Sequence, residues 1–432
     1  MAPCLEIDDA ARERENTSGA GRSMSEIDSS QAVVWRWAET AVVAGDVATL
    51  EQLLRDHNDL IRNQRPQSSW LGGLTPDYDA GNARSIIART HHFETWEQFE
   101  AHLEARKHPD SEVARFEAAA DAVVSGDITR LEQLLRQDPE LVRARSRRNH
   151  RSMLLHYVGA NGVEGFRQRT PANAVRVAET LLRAGADVDA IADMYGGSTT
   201  LGLVATSVHP ATAGLQEALI DLLLAHGAHI DHPGSAGHAH RLLVNSCLAN
   251  GRASAAEHLV RRGAPLDLEG AAGLGRLDIL ASFFDADGRL EPIATMAQMR
   301  DGFTRACAYG RTQVVEFLLD RGLNAGARFS DEVWKQTTGL HLAAFGGHVD
   351  TVRALLDRQA PVDAKDDTYG TTPLNWALYA WGNEAGAAPA ARHHQVVALL
   401  VAAGAEVDAE WLADEKVRAD PQMLAALQRA RP

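Results

Sequence analysis

Five histidines crowd one stretch of the chain: His226, His229, His232, His238 and His240. A zinc ion takes nitrogen and thiolate ligands in a tetrahedron, and the spacing His-x2-His-x2-His-x5-His-x-His would let one loop gather several imidazoles around it. No cysteine and no carboxylate pattern accompanies them, and the run coincides with a helix end and the loop that follows, so no metal site is expected. A second cluster, Arg143, Arg145, Arg147, Arg148 and Arg151, stands out against an acidic average. It has the charge to receive an acidic segment or a phosphate, yet such a run is read first as a solvated loop. Gly270, Gly273 and Gly275 imitate a nucleotide-binding loop but lack the preceding strand, which points to close helix packing instead. The chain has no Gly-x-Ser-x-Gly elbow, no phosphate-cradling loop with a lysine and no His-Glu-x-x-His pair. No catalytic residue and no cofactor is therefore expected.

The bulk composition narrows the partners. Among 432 residues, 43 are Lys or Arg and 58 are Asp or Glu, a formal charge of -15. Such a surplus repels phosphate backbones and anionic lipid, so nucleic acid and membrane are excluded as expected partners in favour of basic or apolar ones. Cys4, Cys247 and Cys307 show no framework spacing and are read as free thiols of a reducing compartment. The first thirty residues hold no apolar core of the length a signal peptide needs, and no longer run approaches a membrane span. A cytoplasmic monomer is expected.

The elements that would position any site repeat along the chain. Thr337 to Asp363 reads Thr-Thr-Gly-Leu-His-Leu-Ala-Ala-Phe-Gly-Gly-His, then Val352, Leu355, Leu356, Ala360, Val362 and Asp363. The pattern returns as Gly370-Thr-Thr-Pro-Leu-Asn-Trp-Ala with Leu399, Leu400, Gly404 and Asp408, and upstream as Leu181, Leu182, Gly185 and Asp189. Gly370 permits a tight turn, Thr372 can cap a helix, and Pro373 suits the first helical position, where its missing N–H costs nothing. Paired leucines fill a second helix, and the glycine after it ends that helix in the left-handed conformation. Gly185, Gly227, Gly263, Gly322 and Gly404 mark successive ends, with Gln359 in one slot; the longest gap, 59 residues from Gly263 to Gly322, holds two units. Ala41 to Leu54 is nearly repeated at Ala122 to Leu135, an internal duplication.

These motifs resemble the ankyrin repeat, and Ala88-Arg-Thr-His91 with Phe93 and Trp96 resembles a segment found in bacterial ankyrin proteins. The resemblance implies an all-α ankyrin-repeat solenoid of about nine stacked helix-turn-helix units with short hairpin fingers. The expected layout is a disordered arm over 1–30, a first unit over 31–66, a helical insert over 67–112, the main array over 113–410, and a C-terminal capping helix and tail over 411–432. His341 is expected to be a strut between units.

In this family the partner, a protein or peptide, docks on a concave face of finger tips and inner helices. Mapped onto this chain, that face includes Asn161, Ser207, Asn250, Tyr309, Phe345 and Tyr379, the last three forming an aromatic row suited to interface anchors. The function so implied is a non-enzymatic scaffold. The competing reading is a small-molecule or catalytic pocket. Extra residues at Val163 to Ala174, His209 to Gln216 and Gly382 to His394 would leave the stack along one edge, where His156, Tyr157, Arg167, Arg169 and His209 are the candidate lining.

Overall fold

The structure is a computed structural model and describes residues 25–57, 83–232, 242–329, 336–383 and 390–428. Its described residues divide into two compact units, an N-terminal one up to Leu243 and a C-terminal one from Val244. Each is built from short antiparallel helix pairs. In the N-terminal unit these are α1 (Ser25–Ala44) with α2 (Val47–Asp56), α3 (Ala83–Thr90) with α4 (Trp96–Arg106), and α5 (Glu112–Ser125) with α6 (Ile128–Gln137). The 3-10 segment Leu154–Gly159 then pairs with α7 (Ala174–Arg183), and α8 (Thr200–Thr206) with the short α9 (Val208–Thr212) precedes α10 (Gln216–Ala225).

The C-terminal unit continues with α11 (Leu243–Ala249), α12 (Ala253–Arg261), α13 (Leu268–Leu274), α14 (Leu277–Ala281), α15 (Met296–Ala308), α16 (Thr312–Asp320), α17 (Gly339–Phe345) and α18 (Val349–Asp357). It closes with α19 (Pro373–Gly382), α20 (Ala390–Ala402), α21 (Ala409–Ala413), α22 (Glu415–Ala419) and α23 (Pro421–Leu427). Among the described residues the strand content is one antiparallel pair in a finger, Arg328–Phe329 on Thr337–Thr338. The fold is thus an all-α repeat solenoid.

The sequence explains each pair. Asp46 and Asp127, the same position of the duplication, cap α2 and α6 by accepting the Thr49 and Arg130 N–H groups. Gly126 ends α5 at φ 74°, and a Cβ there would lie 2.2 Å from Asn173 Oδ1, so the turn admits glycine alone while Asn173 Nδ2 donates to Gly126 O (2.8 Å). The glycines that close the outer helices share the left-handed region: Gly185, Gly227, Gly263, Gly322 and Gly404 lie at φ 93°, 91°, 97°, 89° and 99°. Gln359 is forced into the same region at φ 60°. Leu318, Leu355 and Leu400 are fully buried in one continuous core of the C-terminal unit.

Histidines tie consecutive pairs together. His341 Nδ1 accepts the Thr338 N–H, leaving Nε2–H to donate to Thr371 O (3.1 Å) across to the next pair. Aspartates act similarly between fingers: Asp189 accepts the His229 N–H and Asp363 the Glu406 N–H.

Two boundaries differ from the sequence reading. Helix α1 starts at Ser25, inside the segment expected to be an arm, because a formed helix extends at little cost per residue. The cap is three short helices, not one. Asp414 accepts the Val417 N–H, Asp420 accepts the Gln422 and Met423 N–H groups, and Pro421 cannot continue the preceding helix, so the chain restarts twice while Val417, Met423 and Leu427 stay buried.

Candidate functional site

The chemically richest place in the molecule is a buried ionic core in the N-terminal unit. The finger between α6 and the 3-10 segment alternates: Ser146, Arg148, His150 and Ser152 are buried, whereas Arg145, Arg147, Asn149 and Arg151 are exposed. The finger folds back on itself at this point, Ser146 N–H donating to Ser152 O (2.8 Å) and Arg151 N–H to Arg148 O (2.9 Å) with Arg151 at φ 50°, and this tight tip carries Arg148 inward. Arg148 is 0% exposed. Its Nη2 donates to Glu117 Oε2 (2.8 Å) from α5, its Nη1 to His91 O (2.7 Å) at the end of α3, and its Nε pairs with Glu164.

Arg167, 2% exposed, completes the cluster. Its Nη1 lies 2.8 Å from Glu117 Oε2 and its Nη2 donates to Asp121 Oδ1 (2.6 Å). Two guanidinium groups thus meet two fully buried carboxylates, with Asp121 at the rim, which is the balance that buried charges require. Burial pushes the Glu164 carboxyl up, but Arg148, His150 and Arg167 outweigh it and hold the group well below the usual carboxylate range. Glu117 is lowered by Arg148 and Arg167 against the same burial. The Tyr157 phenol, fully buried 3.5 Å from Glu164 Oε1, is pushed up by burial and by that carboxylate. His91, His92, His102 and His156 are each lowered to about 4, first by burial, and so are neutral near pH 7.

The five residues expected to line a loop-edge pocket therefore part company. His156 is the counterpart of His341: its Nδ1 accepts the Met153 N–H and its Nε2 donates to Ala190 O (2.9 Å). Tyr157 and Arg167 belong to the ionic core, Arg169 is exposed, and His209 is half-buried on α9. The basic cluster read as a solvated loop is corrected at Arg148, which the tight tip of the finger buries. Glu117 and Glu164 carried no local signal.

The expected partner-binding residues also differ from one another. In the N-terminal unit Asn161 bridges Tyr195 (OH donating to Oδ1, 2.9 Å) and Thr206 (Nδ2 donating to Oγ1, 3.2 Å), and Ser207 is buried. In the C-terminal unit Asn250 Nδ2 donates to Ser246 O (2.8 Å). Tyr309 is half-buried with its hydroxyl donating to Leu248 O (2.6 Å), and Phe345 lies edge-on to Trp376 at 6.0 Å. The aromatic row expected to be exposed reaches solvent chiefly at Tyr379, 52% exposed, because Tyr309 finds a backbone partner and Phe345 a ring partner. Beside it stands a residue the sequence reading passed over, Tyr369, 66% exposed on the finger before α19.

Among the described residues no group of three His, Cys, Asp or Glu side chains could hold a metal ion, and no helix is long and apolar enough to cross a membrane. Of the histidine run, His226 and His229 are exposed, His229 pairs with Asp189, and His238 and His240 lie outside the described residues.

Residues 303–411 match a family model described as ankyrin repeats, three copies. A stretch of 70 residues is 40% identical to serine/threonine-protein kinase 12 of Arabidopsis thaliana, covering 16% of this chain and 14% of the length of that protein. The crystal structure of the human ASB11 ankyrin repeat domain aligns over 67% of this chain and 99% of its own, with a TM-score of 0.33 and 18% identity. The match to ankyrin repeats falls on the stretch from 303 to 411, where glycine-ended helix pairs and the His341 strut are found.

Proposed function

We propose that this chain is a non-enzymatic scaffold that holds another protein against the finger and inner-helix face of its C-terminal unit. Stacked repeats of this kind generate extended binding surfaces, and ankyrin repeats generally serve protein interaction. The observation that carries the reading is the exposure of two tyrosines, Tyr369 on a finger and Tyr379 on α19, which with Ile293 and Met296 are the large apolar side chains most open to solvent among the described residues of this unit. Tyrosine gives large contact area at low conformational cost and is favoured at interface anchors. Tyr309 and Phe345 supply half-buried walls on the preceding inner helices, and a cytoplasmic monomer fits this role. The alternative, a catalytic pocket near His156 and His209, has less support. Both His156 nitrogens are engaged by backbone, and Arg167 is locked by carboxylates.

The test is affinity capture from the native host with the full chain and with a Tyr369→Ala, Tyr379→Ala variant. Proteins held by the parent and lost by the variant, at unchanged melting temperature, support the face. Identical captured sets would sink it.

A further inference from the structure

We propose, resting on the scaffold reading above, that the face carrying Tyr369 and Tyr379 takes an extended segment rich in arginine and lysine from the partner protein. Three observations in the C-terminal unit point to that chemistry. First, two aromatic side chains of this unit reach solvent, Tyr369 at 66% and Tyr379 at 52% exposure, the first on the finger that leads into α19 and the second on α19 itself. Aromatic faces attract guanidinium and ammonium groups, and most strongly where these stack flat.

Second, the finger that carries Tyr369 is already rigid. Asp366, 1% exposed, accepts the Tyr369 N–H (2.7 Å) on one oxygen. Its other oxygen accepts the Thr371 N–H (3.1 Å), the Thr371 hydroxyl (2.8 Å) and the Trp376 Nε1–H (3.2 Å). A pre-formed turn needs little ordering on association.

Third, the finger that carries Tyr369 and the next one are acidic. Asp363 and Asp367 on one finger and Glu406, Asp408 and Glu410 on the next are exposed, five carboxylates against Lys365, the Arg328 that donates to Lys365 O (2.8 Å) and the Lys416 that donates to Gly382 O (2.8 Å). Asp363 accepts the Glu406 N–H (3.0 Å), so the two fingers hold their carboxylates together. That field attracts a cationic segment and repels an acidic one, and a second copy of this chain would bring the same negative fingers to meet it.

The experiment is selection of a random dodecapeptide library on the immobilised full chain, then fluorescence anisotropy of the most enriched synthetic peptide. The expected result is a cationic consensus containing Arg. Its affinity falls about tenfold or more in a Tyr369→Ser, Tyr379→Ser variant and in an Asp363→Asn, Asp367→Asn variant, and weakens as salt screens the charges. Circular dichroism melting checks that both variants fold. Neutral or acidic consensus peptides, no enrichment, or a basic peptide indifferent to both variants would overturn the inference. In the last case peptide binding elsewhere leaves the scaffold reading standing, whereas host partners unaffected by the Tyr369→Ala, Tyr379→Ala variant remove the face itself.

Discussion

Replacing Arg148 by Met tests whether the buried ionic core holds the N-terminal unit together. The side chain is 0% exposed and joins three segments distant in sequence: Glu117 on α5, Glu164 before the loop to α7, and the His91 carbonyl at the end of α3. Methionine fills much of the volume but leaves the core one positive charge short, with Arg167 shared between two carboxylates at 2.8 and 3.6 Å. Removing one partner of a buried pair typically costs about 3–5 kcal/mol, so a loss of about 4 kcal/mol is expected, near a thousandfold in the opening equilibrium. Arg147 is the internal control: its pair with Glu112 spans 3.4 Å at 61% and 82% exposure, and its removal should cost about 0–1 kcal/mol. Hydrogen exchange read peptide by peptide over Ala83–Arg106 separates this effect from the C-terminal unit. Adding Glu164→Gln to Arg148→Met should restore protection in part, since charge balance returns. Arg148→Met and Arg147→Met exchanging within about 1 kcal/mol of each other would refute the reasoning.

Three further outcomes follow from the same geometry. His91, His102 and His156 are held neutral in the fold at about 4 while an unfolded histidine titrates near 6.5, so the unfolded chain takes up protons first as pH falls. Stability of the N-terminal unit should be flat above about pH 7 and drop through the window from about 6.5 to 4, by about 2 kcal/mol per histidine at pH 5. The depressed Glu117 and Glu164 extend the loss below the ordinary carboxylate value of 4.5. Urea midpoints constant from pH 7.5 to 5 would contradict this. Gln359→Gly relieves an exposed left-handed residue at φ 60° and should stabilise the C-terminal unit by about 1 kcal/mol, read as a raised thermal midpoint. Leu355→Ala empties a fully buried position and should cost about 2–5 kcal/mol by denaturant titration, a result below 1 kcal/mol counting against the shared core.

What the sequence by itself determined is what short-range chemistry dictates. The glycine after each outer helix, the Asp46 and Asp127 caps, the paired leucines and the His341 strut all act within a few residues or at a fixed offset to the next pair, so their recurrence announced the repeat. The C-terminal cap was legible as amphipathic, but its division into three helices depended on Asp414 and Asp420 competing for backbone N–H groups. The candidate site was less legible. Tyr309 and Phe345 occupy the same repeat position as Tyr379, yet Leu248 O and Trp376 draw the first two inward, and no local rule names those partners. His156 was read as pocket lining although its spacing after Met153 copies that of His341 after Thr338. The ionic core lay furthest from view, because Glu117, Arg148, Glu164 and Arg167 come from separate pairs and loops, and a charge that looks solvated along the chain becomes buried only when folding brings its counter-charges around it. Local hydrogen bonding and helix ends are written residue by residue, whereas charge pairing across the stack exists only in three dimensions.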